Sequence, residues 1–222
     1  MQLTTSAWKI PIVEQGKFIV LEGIDGGGKS TAIEGIKKFL HKKDIHVVIT
    51  REPGGTEIGE RLRNLLLYED LTILPETELF MMFAARIQHL EEIIYPALAQ
   101  GSWVISDRFT DSSYAYQGGG GQLNINAIRE LEQIAQGTFR PDLVFLLDIP
   151  VKEGLLRATG KDKFHERLYG FYERTRALFL ERAQELDTHV LIDASKSQDV
   201  VLSDILENLN DFIRAPFKND NK

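Results

Sequence analysis

The chain of 222 residues contains no cysteine, which excludes disulfides and thiolate metal sites and agrees with a reducing compartment. No apolar run approaches the length of a membrane span, and residues 1–15 lack the long apolar segment of a secretory leader. No pair of histidines has metal-ligand spacing. His165 and His189 have no serine or cysteine partner by spacing, and both are read as ordinary surface or edge residues. Basic charge is in short supply too: 26 Lys and Arg against 33 Asp and Glu leave a net charge of −7. That balance argues against a protein that coats nucleic acid, though basic residues could still converge on one anionic nucleotide. Internal repeats and low-complexity stretches are also missing. What remains reads as a cytoplasmic globular chain of ordinary composition, 43% hydrophobic and 27% charged, long enough to bury a sizeable core as one domain.

Against these absences one stretch stands out, Lys17 to Thr31, KFIVLEGIDGGGKST. Phe18 to Leu21 is a short apolar run suited to a buried parallel strand. Gly23-Ile24-Asp25-Gly26-Gly27-Gly28-Lys29-Ser30 fits G-x-x-x-x-G-K-[ST] at every fixed position, with Thr31 following. Ile33, Ile36, Phe39 and Leu40 then recur at helical spacing. In such a unit the glycines let the backbone wrap a polyphosphate and turn N–H groups inward, and the helix adds its positive end. Lys29 supplies a charge to the outer phosphates, and the Ser30 hydroxyl can reach Mg²⁺. The stretch reads as a nucleoside-triphosphate site.

Four further strands are expected at 45–50, 102–106, 143–148 and 189–193. Helices are expected at 58–67, 75–99, 124–136, 151–158, 164–186 and 200–213. Gly118 to Gly121 reads as a flexible loop, residues 1–16 as a loose extension before a single domain over 17–214, and 215–222 as a polar tail. Short, almost continuously apolar strands alternating with helices specify a three-layer α/β/α domain around a five-stranded parallel sheet. Ligands in such sheets bind beyond the carboxyl ends of the strands. The phosphate loop, Arg51-Glu52, Asp107-Arg108 and the loop after Asp193 should therefore meet there. An acid at a strand end, Asp107, suits a water-mediated Mg²⁺ ligand, although Asp-Arg after a strand is equally often a local ion pair. Two arginines aimed at one cleft suit a monophosphate.

With these segments placed, the chain resembles the bacterial thymidylate kinases over roughly residues 17 to 213. The resemblance is carried by GIDGGGKST, TREPGGTEIGE, FAARIQH, SDRFTDSSYAYQGGG, RPDLVFLLD and FYERTR. It implies the fold of the phosphate-loop nucleoside monophosphate kinases, transfer of the γ-phosphoryl group of ATP to dTMP with Mg²⁺, and a homodimer packed through helices. It also implies roles. Asp25 would contact the sugar 3′-hydroxyl, Arg51 and Arg108 would clamp the acceptor phosphate, and Pro53 would border it. Arg86 would reach a thymine carbonyl, Ser113 and Gln117 would read the base edge, and Tyr116 would crowd the sugar 2′ position. Many relatives carry a stacking aromatic four residues before the arginine. Here that position is Met82, so stacking is assigned to Phe83, while Phe80 is expected in the core.

Relatives also place a catalytic arginine in the phosphate loop or on a lid over ATP. This loop offers only Gly26, Gly27 and Gly28, and the lid, about 157–167, is short, so Arg157, Lys161 and Lys163 are expected to share the charge. The alternatives are a kinase for another nucleotide or nucleoside on the same fold, and a non-catalytic nucleotide-binding module. A phosphate-loop GTPase would need an N-K-x-D-like base reader, and none is found.

Overall fold

The computed structural model describes residues 16–158 and 169–215. Five parallel strands, β1 (Phe18–Glu22), β2 (Val47–Arg51), β3 (Trp103–Asp107), β4 (Leu143–Asp148) and β5 (His189–Asp193), stand in the order β2-β3-β1-β4-β5. The central strand is apolar on both sides for a physical reason. Ile19 and Leu21 point into one core with Phe145, Ile105 and Ile36, while Phe18 and Val20 point into the other with Val104, Leu90 and Ile94. Every residue of β1 is buried, whereas β2 and β5, at the two edges, are only partly covered. The expected three-layer α/β architecture and the parallel sheet are as observed.

Helices α1 (Lys29–His41), α2 (Glu57–Leu67), α3 (Pro75–His89), α4 (Tyr95–Ala99), α5 (Thr110–Ser113), α6 (Ile125–Gln136), α7 (Val151–Arg157), α8 (Tyr169–Glu185) and α9 (Gln198–Arg214) connect and cover the strands. The expected long helix from Pro75 to Ala99 is one continuous helical path with a π turn at Leu90–Ile94. The wide turn precedes Pro96, which has no N–H to give and crowds the carbonyl four residues back.

Two expectations need correction. The glycines at 118–121 do not form a flexible loop: Tyr114–Gly120 is a π-helical segment packed on α8, and Gly118 and Gly120 are buried. A Cβ at Gly120 would stand 2.5 Å from the Phe171 ring, so the glycine is there for close approach. Arg174 of α8 donates to Gly119 O and Gly120 O at 3.3 and 2.9 Å. His189 keeps its place on an edge strand, but its side chain is covered, 5% exposed, and Nε2 meets Asp111 Oδ2 at 2.6 Å beside Arg182. Among the described residues no helix is long and apolar enough to cross a membrane. The expected extension, the part of the lid from 159 onward and the tail beyond 215 lie outside the described residues.

Candidate active site

Parallel register brings the chemistry together. Arg51 of β2 lies level with Asp107 of β3, and Asp107 with Leu21 of β1, so the carboxyl ends of three strands share one rim. The backbone stitches the rim one residue further: Arg108 N donates to Leu21 O at 2.9 Å and Glu52 N to Asp107 O at 3.0 Å.

The phosphate loop turns from β1 into α1 with backbone that few side chains permit. Gly28 caps the helix at φ 88°, and a Cβ at Gly26, φ 80°, would lie 2.0 Å from Gly154 O of α7. Asp25 to Ala32 line a cavity of about 680 Å³, with Arg51, Glu52, Asp107 and Arg108 on one side and Arg157, Ala194, Lys196 and Gln198 on another. Gly23 and Ile24 do not line it. Their carbonyls instead accept Lys29 Nζ at 3.0 and 3.2 Å. Burial, and then Arg108 nearby, pull the Lys29 ammonium down from its ordinary value against the pull of Asp107, Asp25 and Glu22.

Asp107 Oδ1 is buried with no hydrogen-bond partner among the described residues. A bare carboxylate oxygen on a residue that lines the same cavity as Ser30 fits a Mg²⁺ that arrives with a nucleotide. No cluster of three or more potential metal-ligating side chains exists among the described residues, so the protein offers few ligands of its own.

Arg108 joins this cavity to a second one of about 100 Å³ and lines both. Its backbone is left-handed at φ 73°, a strained state for a non-glycine residue, and its guanidinium is held on four sides. Nη1 donates to Gly23 O at 2.8 Å and Ser112 Oγ at 3.2 Å, and Nη2 to Asp25 Oδ1 at 2.6 Å and Tyr116 Oη at 3.1 Å. Burial opposes the charge, but Tyr116, Asp25, Asp107 and Glu22 outweigh it and hold the proton more tightly than usual. Burial pushes the Tyr116 hydroxyl up as well.

The second cavity is walled by side chains already paired. Arg86 of α3, 2% exposed, donates from Nε to Glu52 Oε2 at 2.7 Å and from Nη2 to Phe109 O at 3.2 Å and Ser113 Oγ at 3.0 Å. The other Glu52 oxygen meets His89 Nδ1 at 2.9 Å, and His89 Nε2 meets Thr50 Oγ1 at 2.5 Å. Arg86 Nη1 is buried and without a hydrogen-bond partner among the described residues. Ser113, Tyr116 and Gln117 recur at helical spacing across α5 and the π segment and all line the cavity, as do Pro53 and Asp25.

Two expectations change here, for Phe83 and Phe80. Phe83 does not line the cavity: it packs with Leu79, Tyr114 and Ile128, and the Arg86 guanidinium lies 4.6 Å over its ring. Met82 takes the place at the wall, with Leu67 and Phe109. Phe80 is not in the core but 61% exposed. Arg157, expected to share the lid charge, lines the larger cavity and is anchored to the loop after β5, donating to Ala194 O at 2.8 Å and Ser195 O at 3.1 Å. Lys161 and Lys163 lie outside the described residues. Arg51 does line the larger cavity, 53% exposed, held by Glu60 through Nη2–Oε2 at 2.8 Å.

Sequence reasoning gave no role to Glu22, Glu78 and Met82, and Glu52 received none beyond its place at a strand end. Glu22 carried the one available signal, a carboxylate inside a strand apolar on both faces. Its oxygens accept from Phe109 N at 2.8 Å and Ser112 Oγ at 2.6 Å.

Comparison with known proteins matches the family model described as Thymidylate kinase to residues 21–205. A thymidylate kinase of Cupriavidus metallidurans is 48% identical over 202 residues, covering 88% of this chain and 100% of that protein. One from Nitrosospira multiformis is 47% identical over 191 residues, covering 84% and 93%. The crystal structure of thymidylate kinase from Ehrlichia chaffeensis superposes with a TM-score of 0.73 at 31% identity, covering 88% of this chain and 99% of that one.

Proposed function

The chain belongs to the thymidylate kinase family, and from that premise we propose that its paired cavities transfer the γ-phosphoryl group of ATP to dTMP, giving dTDP and ADP. The observation that carries this reading is Arg108, which is bonded to the phosphate loop at Gly23 O and Asp25 while lining the cavity next door. A module that only bound ATP would have no use for a strained arginine between two pockets.

In this reading the backbone N–H groups of 25–31 and Lys29 hold the ATP phosphates, with Gly23 and Ile24 supporting Lys29 through their carbonyls, and Arg51 and Arg108 hold the acceptor phosphate. Ser30 and Asp107 hold Mg²⁺, which when bound neutralises charge on the outer phosphates. Asp25 contacts the sugar 3′-hydroxyl, Pro53 borders the acceptor, and Tyr116 fills the space a 2′-hydroxyl would need. Arg86 offers Nη1 to a base carbonyl, and Ser113 and Gln117 meet the base edge. Met82 and Leu67 supply the apolar wall in place of an aromatic ring.

The acceptor is a phosphate oxygen, anionic near neutral pH, so no strong base is required. Alignment and relief of repulsion between two polyanions are the work. The chain is proposed to act in the cytoplasm as a homodimer, without nucleic acid or membrane.

ADP release from Mg-ATP, measured across a panel of nucleoside monophosphates, tests the reading. Release should depend on dTMP, with ribonucleotides and other bases poor acceptors. ADP formation that dTMP does not stimulate, or that another monophosphate stimulates better, would sink it.

A further inference from the structure

A side-chain amide has two unlike ends, and the end that Gln117 turns toward the smaller cavity decides which base edge it can read. Glu78 makes that choice. Gln117 Nε2 donates to Glu78 Oε1 at 2.9 Å, and both residues are buried, 3% and 8% exposed. A carboxylate has no proton to give, so the amide oxygen cannot occupy that position. Gln117 Oε1 is left on the other side of the amide, with no hydrogen-bond partner among the described residues, where Gln117 lines the cavity. Glu78 and Arg86 both belong to α3, and Gln117 follows Ser113 by one helical turn, so the two elements that carry the base contacts also carry this pair.

We propose that Glu78 is a positioning residue that locks the Gln117 carbonyl toward the base, so that the site favours a pyrimidine whose N3 carries a proton. The inference rests on the acceptor reading above and deepens it. In thymine the N3–H lies between two carbonyls. Whichever carbonyl meets the donors of Arg86, the next position along that edge is a hydrogen-bond donor seeking an acceptor. In cytosine the same position is a bare lone pair, which a locked carbonyl repels. An amide free to turn over would present its NH₂ group and lose that discrimination.

Steady-state kinetics with dTMP and dCMP test this on the parent chain, Glu78→Gln, Gln117→Leu and the double variant. The glutamine at 78 can donate as well as accept, which frees Gln117 to rotate. The dTMP-to-dCMP ratio of kcat/KM should fall about tenfold in Glu78→Gln, through a raised KM for dTMP with kcat held. In the Gln117→Leu background the same change should leave the ratio where it was. Glu78→Asp keeps an acceptor-only partner and should retain most of the parent ratio. The proposal is overturned by a Glu78→Gln ratio within about twofold of the parent, by an equal fall in the Gln117→Leu background, or by an equal fall in Glu78→Asp. A parent chain that does not phosphorylate dTMP would instead overturn the acceptor reading itself, so the two failures are distinct.

Discussion

The two cavities that meet at Arg108 are built by opposite means. The larger one is floored by main chain, the glycines at 26, 27 and 28 and the first turn of α1, with the charged side chains of Arg51, Asp107, Arg108 and Arg157 around that floor. Its floor offers backbone N–H groups fixed by the course of the chain, and Lys29 is held beside that floor by the carbonyls of Gly23 and Ile24. The smaller one is walled by side chains from the segment after β2, α2, α3, α5 and the π segment, and its polar members are held by neighbours: Arg86 by Glu52, Glu52 by His89, His89 by Thr50, Gln117 by Glu78. A polyphosphate looks much the same on every nucleotide, so a backbone cradle suffices for it. A base must be told apart from close relatives, and that needs aimed side chains whose aim is itself enforced.

If that contrast holds, a lesion on one side should register mainly in the kinetics of that side. The largest effect belongs to Lys29→Ala. Lys29 lines the larger cavity and not the smaller. Turnover should fall about 10²–10³-fold, in the range for loss of one preorganised charge at a transferring phosphoryl group. The KM for dTMP should stay within about twofold of the parent, since its pocket is intact. A matching collapse of dTMP affinity would mean the two cavities are not separable.

Glu52→Gln should come next, and here stability moves together with binding. One carboxylate serves Arg86 and His89, all three are buried, and no second anion pairs with Arg86 among the described residues. Neutralising it leaves a buried guanidinium without a counter-charge, at a cost of about 3 kcal/mol. In a chain of this length that lowers Tm by about 6–12 °C, readable by calorimetry. The KM for dTMP should rise more than the KM for ATP. An unchanged Tm would show that the Thr50–His89–Glu52–Arg86 chain contributes little.

The same contrast governs how much could be read from the residues. The main-chain cradle leaves its mark in sequence because only glycine tolerates its φ angles and close contacts, and a fixed spacing of Gly, Lys and Ser carries it. The sheet was equally legible: β4 and β5 match their expected bounds residue for residue, and β4 does so because a strand covered on both faces is apolar without interruption. The side-chain cavity was legible only through resemblance, and there it failed at the packing level. Met82 and Phe83 are adjacent on α3, and both fall within a turn of Arg86. Which one faces the cavity depends on Tyr114 and Ile128, residues about 31 to 46 positions away that draw Phe83 into their cluster. Glycines 118–121 misled for a related reason. Composition cannot separate a glycine kept for freedom from one kept for closeness, and packing decides it: Ile125 at Gly118, Arg174 O at Gly119 and the Phe171 ring at Gly120.

The smallest effect tests the seam between the two cavities. Glu22 ends β1, 1% exposed, and fixes Phe109 N and Ser112 through its two oxygens. Burial raises its carboxyl from an ordinary 4.5 to about 7, with Asp111 adding to the rise and Arg108, Ser112 and Phe109 opposing it. The folded chain therefore holds this proton more firmly than the unfolded chain. The stabilisation from that proton is full below pH 4.5 and is lost as pH rises through about 7. Its size is at most on the order of 3 kcal/mol. Glu22→Gln has no proton to lose. Between pH 5 and 7.5 the parent Tm should therefore decline relative to that of Glu22→Gln, with the two curves closest at the acid end. Curves that run parallel across this range would mean that Arg108 and the two donors keep Glu22 ionised throughout. Its carboxylate would then belong with the fixed charges around Arg108, as a permanent anchor for the loop that joins donor and acceptor sides.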